Sequence, residues 1–427
     1  MSTTDRIVVV SGARTPFVRA RTVFSKMSAS ALGGITLRET VARSGIDPKL
    51  IDEVYMGIVS APAEGSNIAR ESLFDSGLPP TIPCTTINRY CASSAESVAG
   101  IVAKIEAGQI EIGIAGGVES ISSIRALFSQ QATDFFSDIA KMKTTSQKLN
   151  HVMKFKPAFL APNAPGITEA TTGLSMGQSA DLMARQFGVG RQEQDEYAVL
   201  SHQKAAKGWE DGFFKSHVIG VPTKDGTLID RDTDIRSDTS VEKLSKLRPV
   251  FYKDGTITAG NASPLTDGAS AVMLMKESKA KELGLTPIAA IRSVAAAAVD
   301  ILKEPLLIGP VYAIPRALKA AGLGWNDIGL FEIHEAFAGQ VLSTFRAIES
   351  DSFAKEKLGL SSKIGTIDPS KTNPHGGSIP LGHPFGATGT RMVLQTAYGL
   401  KARNAQFGLI SICAASGLGA VLVIEAI

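Results

Sequence analysis

Cysteine is scarce in this sequence: Cys84, Cys91 and Cys413 are the only three in 427 residues, and none stands in a CxxC pair. That excludes a disulfide framework and a cysteine-built zinc site. Six histidines form no HxxH or HxxxH pair, so no helix presents two imidazole ligands on one face, and no metal is expected. Charge of one sign is not in excess either. Lys plus Arg number 44 against 41 Asp plus Glu, a net +3 too thinly spread for nucleic-acid binding. No window approaches the roughly 20 uninterrupted apolar residues of a membrane span, which leaves only peripheral membrane contact. The opening MSTTDRIVVVSGARTP has neither a basic region ahead of an apolar core nor an Arg-rich presequence. No targeting segment is expected, and the cysteine content fits a reducing compartment, the cytoplasm for a bacterial source.

What is present is ordinary for a large folded chain: 44% hydrophobic residues, 20% charged, 41 Gly and 20 Pro. Short apolar runs (residues 6–10, 53–59, 110–115 and 407–413) alternate with stretches of helical period, which favours an α/β fold. Residues 1–121 and 251–284 read as one half and 285–427 as a similar second half, both rich in Ala, Gly and Val. Residues 122–250 are polar, aromatic and proline-broken, as in an inserted loop domain. Within it, residues 151–167 combine Lys154 and Lys156 with Met153, Phe155, Phe159 and Leu160. That mixture suits a lid packed on the body with solvated lysines, or a contact with a membrane or partner.

Four segments carry chemistry. In TIPCTTINRYCASS an extended run gives way to a small-residue helix just after Cys91, and a helix N-terminus lowers a thiol pKa. Cys84, inside the strand, reads as a small buried residue. In NPHGGSIPLGHPFGATG, His383 sits between Gly382 and Pro384, placed to take a proton; on spacing alone His375 is an equal candidate. FGLISICAASGLGAVLVIEA reads as a hairpin with Cys413 at its turn, and the missing third glycine rejects a dinucleotide site. In LFEIHEAFAGQ, His334 either polarises a carbonyl, caps the following helix or fills a polar gap.

Together, in this order and over essentially the whole chain, these segments resemble the thiolase family. NRYCASS is similar to its nucleophile motif, HEAF to its NEAF element, GGSIPLGHPFGATG to its GGAxALGHPxGASG element, and CAASGLGA to its second-cysteine turn. SKLRPVF and TAGNASPLTDGAS also fit. The resemblance is to the degradative 3-ketoacyl-CoA thiolases, and HEAF with KFKPAFLAPNAP points to the β subunit of trifunctional fatty-acid oxidation complexes.

The resemblance implies a five-layered αβαβα fold of two mixed sheets and three helical layers, plus the loop domain. It implies Cys91 as nucleophile, His383 as its base, Cys413 as the acid and base at the acetyl carbon, and His334 with His383 as donors to an enolate oxygen. The backbone N–H groups of Cys91 and Ala415 form a second oxyanion site. Arg236 and Phe251 flank the nucleotide of CoA, Met176, Ala259, Gly260 and Ser263 its pantetheine, and Ala336 and Phe337 its thiol end. CoA and acyl-CoA enter as substrates, with no bound cofactor. A homodimer or tetramer is implied, with an α subunit carrying hydratase and dehydrogenase activities as the partner of a trifunctional complex. Two departures stand out: His334 where most members have Asn, and Ala415 where many have Gly. The rival readings are an acetoacetyl-CoA-forming acetyl-CoA C-acetyltransferase and a non-catalytic CoA-binding scaffold subunit.

Overall fold

A computed structural model describes residues 5–62, 65–124, 129–160 and 168–427. Its strands in chain order are β1 (Ile7–Arg14), β2 (Val18–Arg19), β3 (Glu53–Gly57), β4 (Cys84–Ile87), β5 (Ile112–Glu119), β6 (Val221–Pro222), β7 (Leu228–Ile229), β8 (Thr266–Lys276), β9 (Ala289–Ala298), β10 (Leu330–Ile333), β11 (Phe407–Ala414) and β12 (Leu418–Ala426). The apolar runs become strands, and the central ones are continuous rather than alternating because both faces are covered. All eight residues of β1 and of β5 are buried.

The main sheet has the order β10-β11-β12-β9-β1-β8-β5-β3-β4, with β2 added beside β8. It is mixed: β3 runs parallel to β4 and β5, and β10 to β11, while the remaining ladders are antiparallel. The two mixed sheets expected from the two halves are present and are joined to each other. Ile7–Val9 of β1 pair with residues 289–291 of β9, joining the two half-sheets along one path. Each half thereby loses an exposed strand edge.

Three cores stack around this path. One lies under the helices Ala29–Ser44 and Ile68–Ser76 of the first half, and one under Gly309–Ala321 and Ala338–Ile348 of the second. The third is shared, formed by the helices Ser93–Glu106 and Thr388–Arg403 with residues of both half-sheets. These two helices meet closely because Gly389 has no side chain; a Cβ there would collide with the backbone of Ala95. The Thr390 N–H also donates to Ser94 Oγ at 3.1 Å, tying the two first turns together.

The described residues between β5 and β8 add no strand to the main sheet and contain β6 and β7 as a separate two-stranded ribbon. A fully buried bidentate pair, Arg14 to Asp232 at 2.6 and 2.8 Å, fixes this region to β1. The helices Gln130–Lys141 and Thr145–Val152 and the chain that follows them pack through aromatic rings: Phe135 stacks on His151 at 4.6 Å and meets Phe155 and Phe159 at 5.6 Å. Of the segment 151–167 singled out above, 161–167 lie outside the described residues. Among the described residues no helix is long and apolar enough to cross a membrane.

Candidate active site

Cys91 stands where β4 turns into the helix Ser93–Glu106. The reversal is sharp: Tyr90 adopts φ 49°, and Ser93 Oγ donates to the Tyr90 carbonyl at 2.6 Å while accepting from Arg89 N–H at 2.9 Å. His383 follows Gly382, whose φ of 99° only glycine adopts readily. Cys413 lies near the end of β11, opposite Gly419 of β12. In the turn between them the left-handed residues are Ser416 and Gly417, not Ala415. Ala415 therefore holds its N–H without the positive φ that would favour glycine there. Ser416 is clamped by Glu169, whose carboxylate accepts from its N–H at 2.9 Å and its hydroxyl at 2.8 Å.

These elements converge. The Cys91 sulfur and one ring nitrogen from each of His334 and His383 lie within 4.8 Å of one another, and the two rings are 4.2 Å apart. The N–H groups of Ala415 and of Cys91 itself point at the Cys91 sulfur, and the Cys413 thiol is close enough to feel it. Burial, with the Glu119 carboxylate nearby, pushes the Cys91 thiol up to about 12. That reverses the expected lowering by the helix N-terminus, because the sulfur is enclosed and faces an acid. Burial, then Arg391, brings His383 down to about 3. Nucleophile and base both rest uncharged at neutral pH, so the sulfur must lose its proton within the pocket as it attacks.

Hydrogen bonding assigns the His383 tautomer. Thr388 Oγ1 lies 2.6 Å from His383 Nδ1 and donates to the Pro384 carbonyl at 3.1 Å. With that proton on the carbonyl, Thr388 accepts from Nδ1–H and Nε2 keeps a lone pair, the arrangement that satisfies all three groups. Nε2 is buried and has no partner among the described residues. His334 likewise has a buried, unpartnered Nε2, with Nδ1 3.0 Å from Ser378 Oγ. It does not cap the next helix, whose N-cap is Phe337 without a side-chain bond. His375, equal on spacing, is instead stacked on Phe213 at 3.5 Å. Cys84 opens β4 and packs beside the first core, as a structural residue does.

Of the positions expected to hold CoA, Arg236, Ala259 and Gly260 line one groove together with Arg19, His202 and Asp234. Met176, Phe251 and Phe337 pack together at the edge of the second core, with Phe251 and Phe337 rings 6.0 Å apart. Ser263 N–H donates to the Ala336 carbonyl at 3.0 Å, beside the loop that bears His334.

Two acids near the site were given no role from the sequence, Glu119 going unnoticed and Glu335 being placed outside the direct chemistry. Glu119 accepts from the N–H groups of Val59, Ser60 and Gly386 at 2.9–3.0 Å. Glu335, fully buried, accepts from Tyr197, Ser201, Asn373 and the Ile379 N–H at 2.7–3.2 Å, locking the His334 loop to the one leading to His383. The available signal was an acid inside an otherwise apolar run, as in GIAGGVES and LFEIHEAF.

Known proteins resemble this chain over nearly its whole length. The thiolase N-terminal domain matches residues 7–278 and the thiolase C-terminal domain residues 285–426. The 3-ketoacyl-CoA thiolases of Yersinia enterocolitica and Serratia proteamaculans are each 44% identical, over 425 and 424 residues, covering 99% of this chain and 97% of theirs. Human mitochondrial 3-ketoacyl-CoA thiolase superposes with a TM-score of 0.83 at 29% identity, covering 99% of both chains, and its complex with CoA has the same TM-score and identity, covering 99% of this chain and 98% of its own. With both family domains matched across nearly its full length, this chain belongs to the thiolase family.

Proposed function

We propose that the chain cleaves 3-ketoacyl-CoA with CoA, giving acetyl-CoA and an acyl-CoA two carbons shorter. The observation that carries this reading is the meeting of the Cys91 sulfur with one ring nitrogen each of His334 and His383, within electrostatic reach of a second thiol. The 44% identical relatives bearing that activity support it.

The chemistry follows from the proton inventory. Cys91 gives its proton to His383 Nε2 as the sulfur attacks the C3 ketone, whose oxygen gathers charge toward the N–H groups of Cys91 and Ala415. The C2–C3 bond then breaks and its electron pair moves to C2, forming an enolate whose oxygen faces His334 and the newly protonated His383. Cys413 protonates C2, and acetyl-CoA leaves. An incoming CoA thiol gives its proton to the Cys413 thiolate and attacks the acyl group, releasing Cys91, which recovers its proton from His383. Every proton lent is returned. Losing one oxyanion donor costs ~100- to 1,000-fold in rate.

Arg236, in the groove with Ala259 and Gly260, supplies cationic charge for the phosphates of CoA and Phe251 flanks its nucleotide, while Met176, Ala259, Gly260 and Ser263 receive the pantetheine and Ala336 and Phe337 its thiol end. The exposed Leu149, Val152 and Met153, flanked by Lys148, Lys154 and Lys156, are our candidate for peripheral contact with an anionic membrane. Assembly as a dimer or tetramer, and with an α subunit, is proposed from the sequence resemblance alone.

A thiolysis panel from four to sixteen carbons tests the reading. Strong turnover at sixteen carbons, lost in Cys91→Ala, is expected. Activity confined to four carbons would favour the acetoacetyl-CoA-forming enzyme, and acyl-CoA binding without turnover would favour the scaffold.

A further inference from the structure

Behind His334 runs a chain of buried polar groups. Arg391 and Glu332 are each 1% exposed. The Arg391 guanidinium donates to Ser378 Oγ at 2.8 Å and to Gln395 Oε1 at 3.3 Å, while Gln395 Nε2 donates to the Gly376 carbonyl at 2.8 Å and to Glu332 at 3.3 Å. Ser378 Oγ is the group that meets His334 Nδ1, at 3.0 Å.

The direction of these bonds is forced. A guanidinium has donors and no acceptor, so Ser378 accepts from Arg391 and its own hydroxyl proton must go elsewhere. Among the described residues, His334 Nδ1 is the acceptor within its reach. Nδ1 therefore accepts, and the ring proton of the neutral imidazole sits on Nε2, which is buried and has no partner among the described residues. We propose that Ser378, aligned by Arg391, is a positioning residue that fixes His334 as an Nε2–H donor, the tautomer opposite to that of His383.

This assignment separates two uses of one cluster. Cys91, His334 and His383 also form a metal-ligand set by residue type and spacing. A proton held on Nε2 of His334 makes that nitrogen a donor for a developing oxyanion instead of a lone pair for a cation.

The catalytic consequence rests on the thiolysis reading, whereas the tautomer does not, and the test keeps the two apart. In protein labelled with ¹⁵N-histidine and assigned through His334→Asn and His383→Asn, the wild type is expected to show His334 protonated at Nε2 and bare at Nδ1, with His383 the reverse. A proton on His334 Nδ1 would overturn the proposal whatever the enzyme catalyses. Ser378→Ala is then expected to lower kcat roughly tenfold, part of the ~100-fold worth of an oxyanion donor, with little change in KM for CoA. In a His334→Asn background the same substitution should cost less than twofold. Losses that multiply in the double variant would show that Ser378 does not act through His334, and the NMR result stands independently if Ser378→Ala fails to fold.

Discussion

The Cys413 thiol is buried, and burial, with the electrostatic influence of Cys91, pushes it well above the usual thiol range. A group so reluctant to ionise suits an acid that gives its proton only to a strongly basic carbon. Cys413→Ala is expected to lower thiolysis ~100- to 10,000-fold. It should also abolish deuterium exchange into the acetyl-CoA methyl group while iodoacetamide still alkylates Cys91; persistent exchange would remove Cys413 from its role. At this scale the sequence was informative wherever a motif is contiguous, as for Cys91, His383 and Cys413. It was silent on Glu119, Ser378, Arg391 and Thr388, whose importance comes from partners brought close by folding. Glu119 binds N–H groups 59, 60 and 267 positions away, a relation that no local pattern encodes. The same burial explains why a helix N-terminus failed to predict the state of the Cys91 thiol.

Two helices set the distance between nucleophile and base, since Ser93–Glu106 begins just after Cys91 and Thr388–Arg403 just after His383. Their separation depends on Gly389, against whose position the Ala95 backbone lies. Gly389→Ala is expected to destabilise the protein by about 1–3 kcal/mol, the usual cost of overpacking, and to lower kcat more than KM by parting Cys91 from His383. A urea titration beside steady-state kinetics checks both, and an unchanged kcat would show that this spacing is not critical. The strands were legible because buried β-branched runs announce them, as IVVVSGAR does for β1. The joining of β1 to β9 was not, because strand order depends on long-range pairing that periodicity leaves open.

Across the whole molecule, buried charge ties the halves to the intervening region and shapes the response to pH. Removing one partner of the buried Arg14–Asp232 pair, as in Asp232→Ala, is expected to cost about 3–5 kcal/mol by leaving the other uncompensated, which chemical denaturation would measure. Burial lowers five histidines: His202 and His375 to about 4, His383 to about 3, and His217 and His334 well below their ordinary value of 6.5. Their folded-state pKa values are depressed, so the stability they confer is complete above about pH 6.5 and is lost as pH falls. Burial raises Glu119 to about 7 and Glu332 to about 8, and the stability from these two is complete below about pH 4.5 and is lost as pH rises. The urea midpoint should therefore peak near about pH 6.5 and fall faster on the acid side; a steady rise through pH 8 would contradict this balance. The central claim is the covalent step at Cys91, and mass spectrometry reads it directly. Protein mixed with a sixteen-carbon 3-ketoacyl-CoA and no free CoA should release one equivalent of acetyl-CoA and carry a fourteen-carbon acyl group on the Cys91 peptide. Acetyl-CoA released with Cys91 unmodified, or with the acyl group on another residue, would contradict the account.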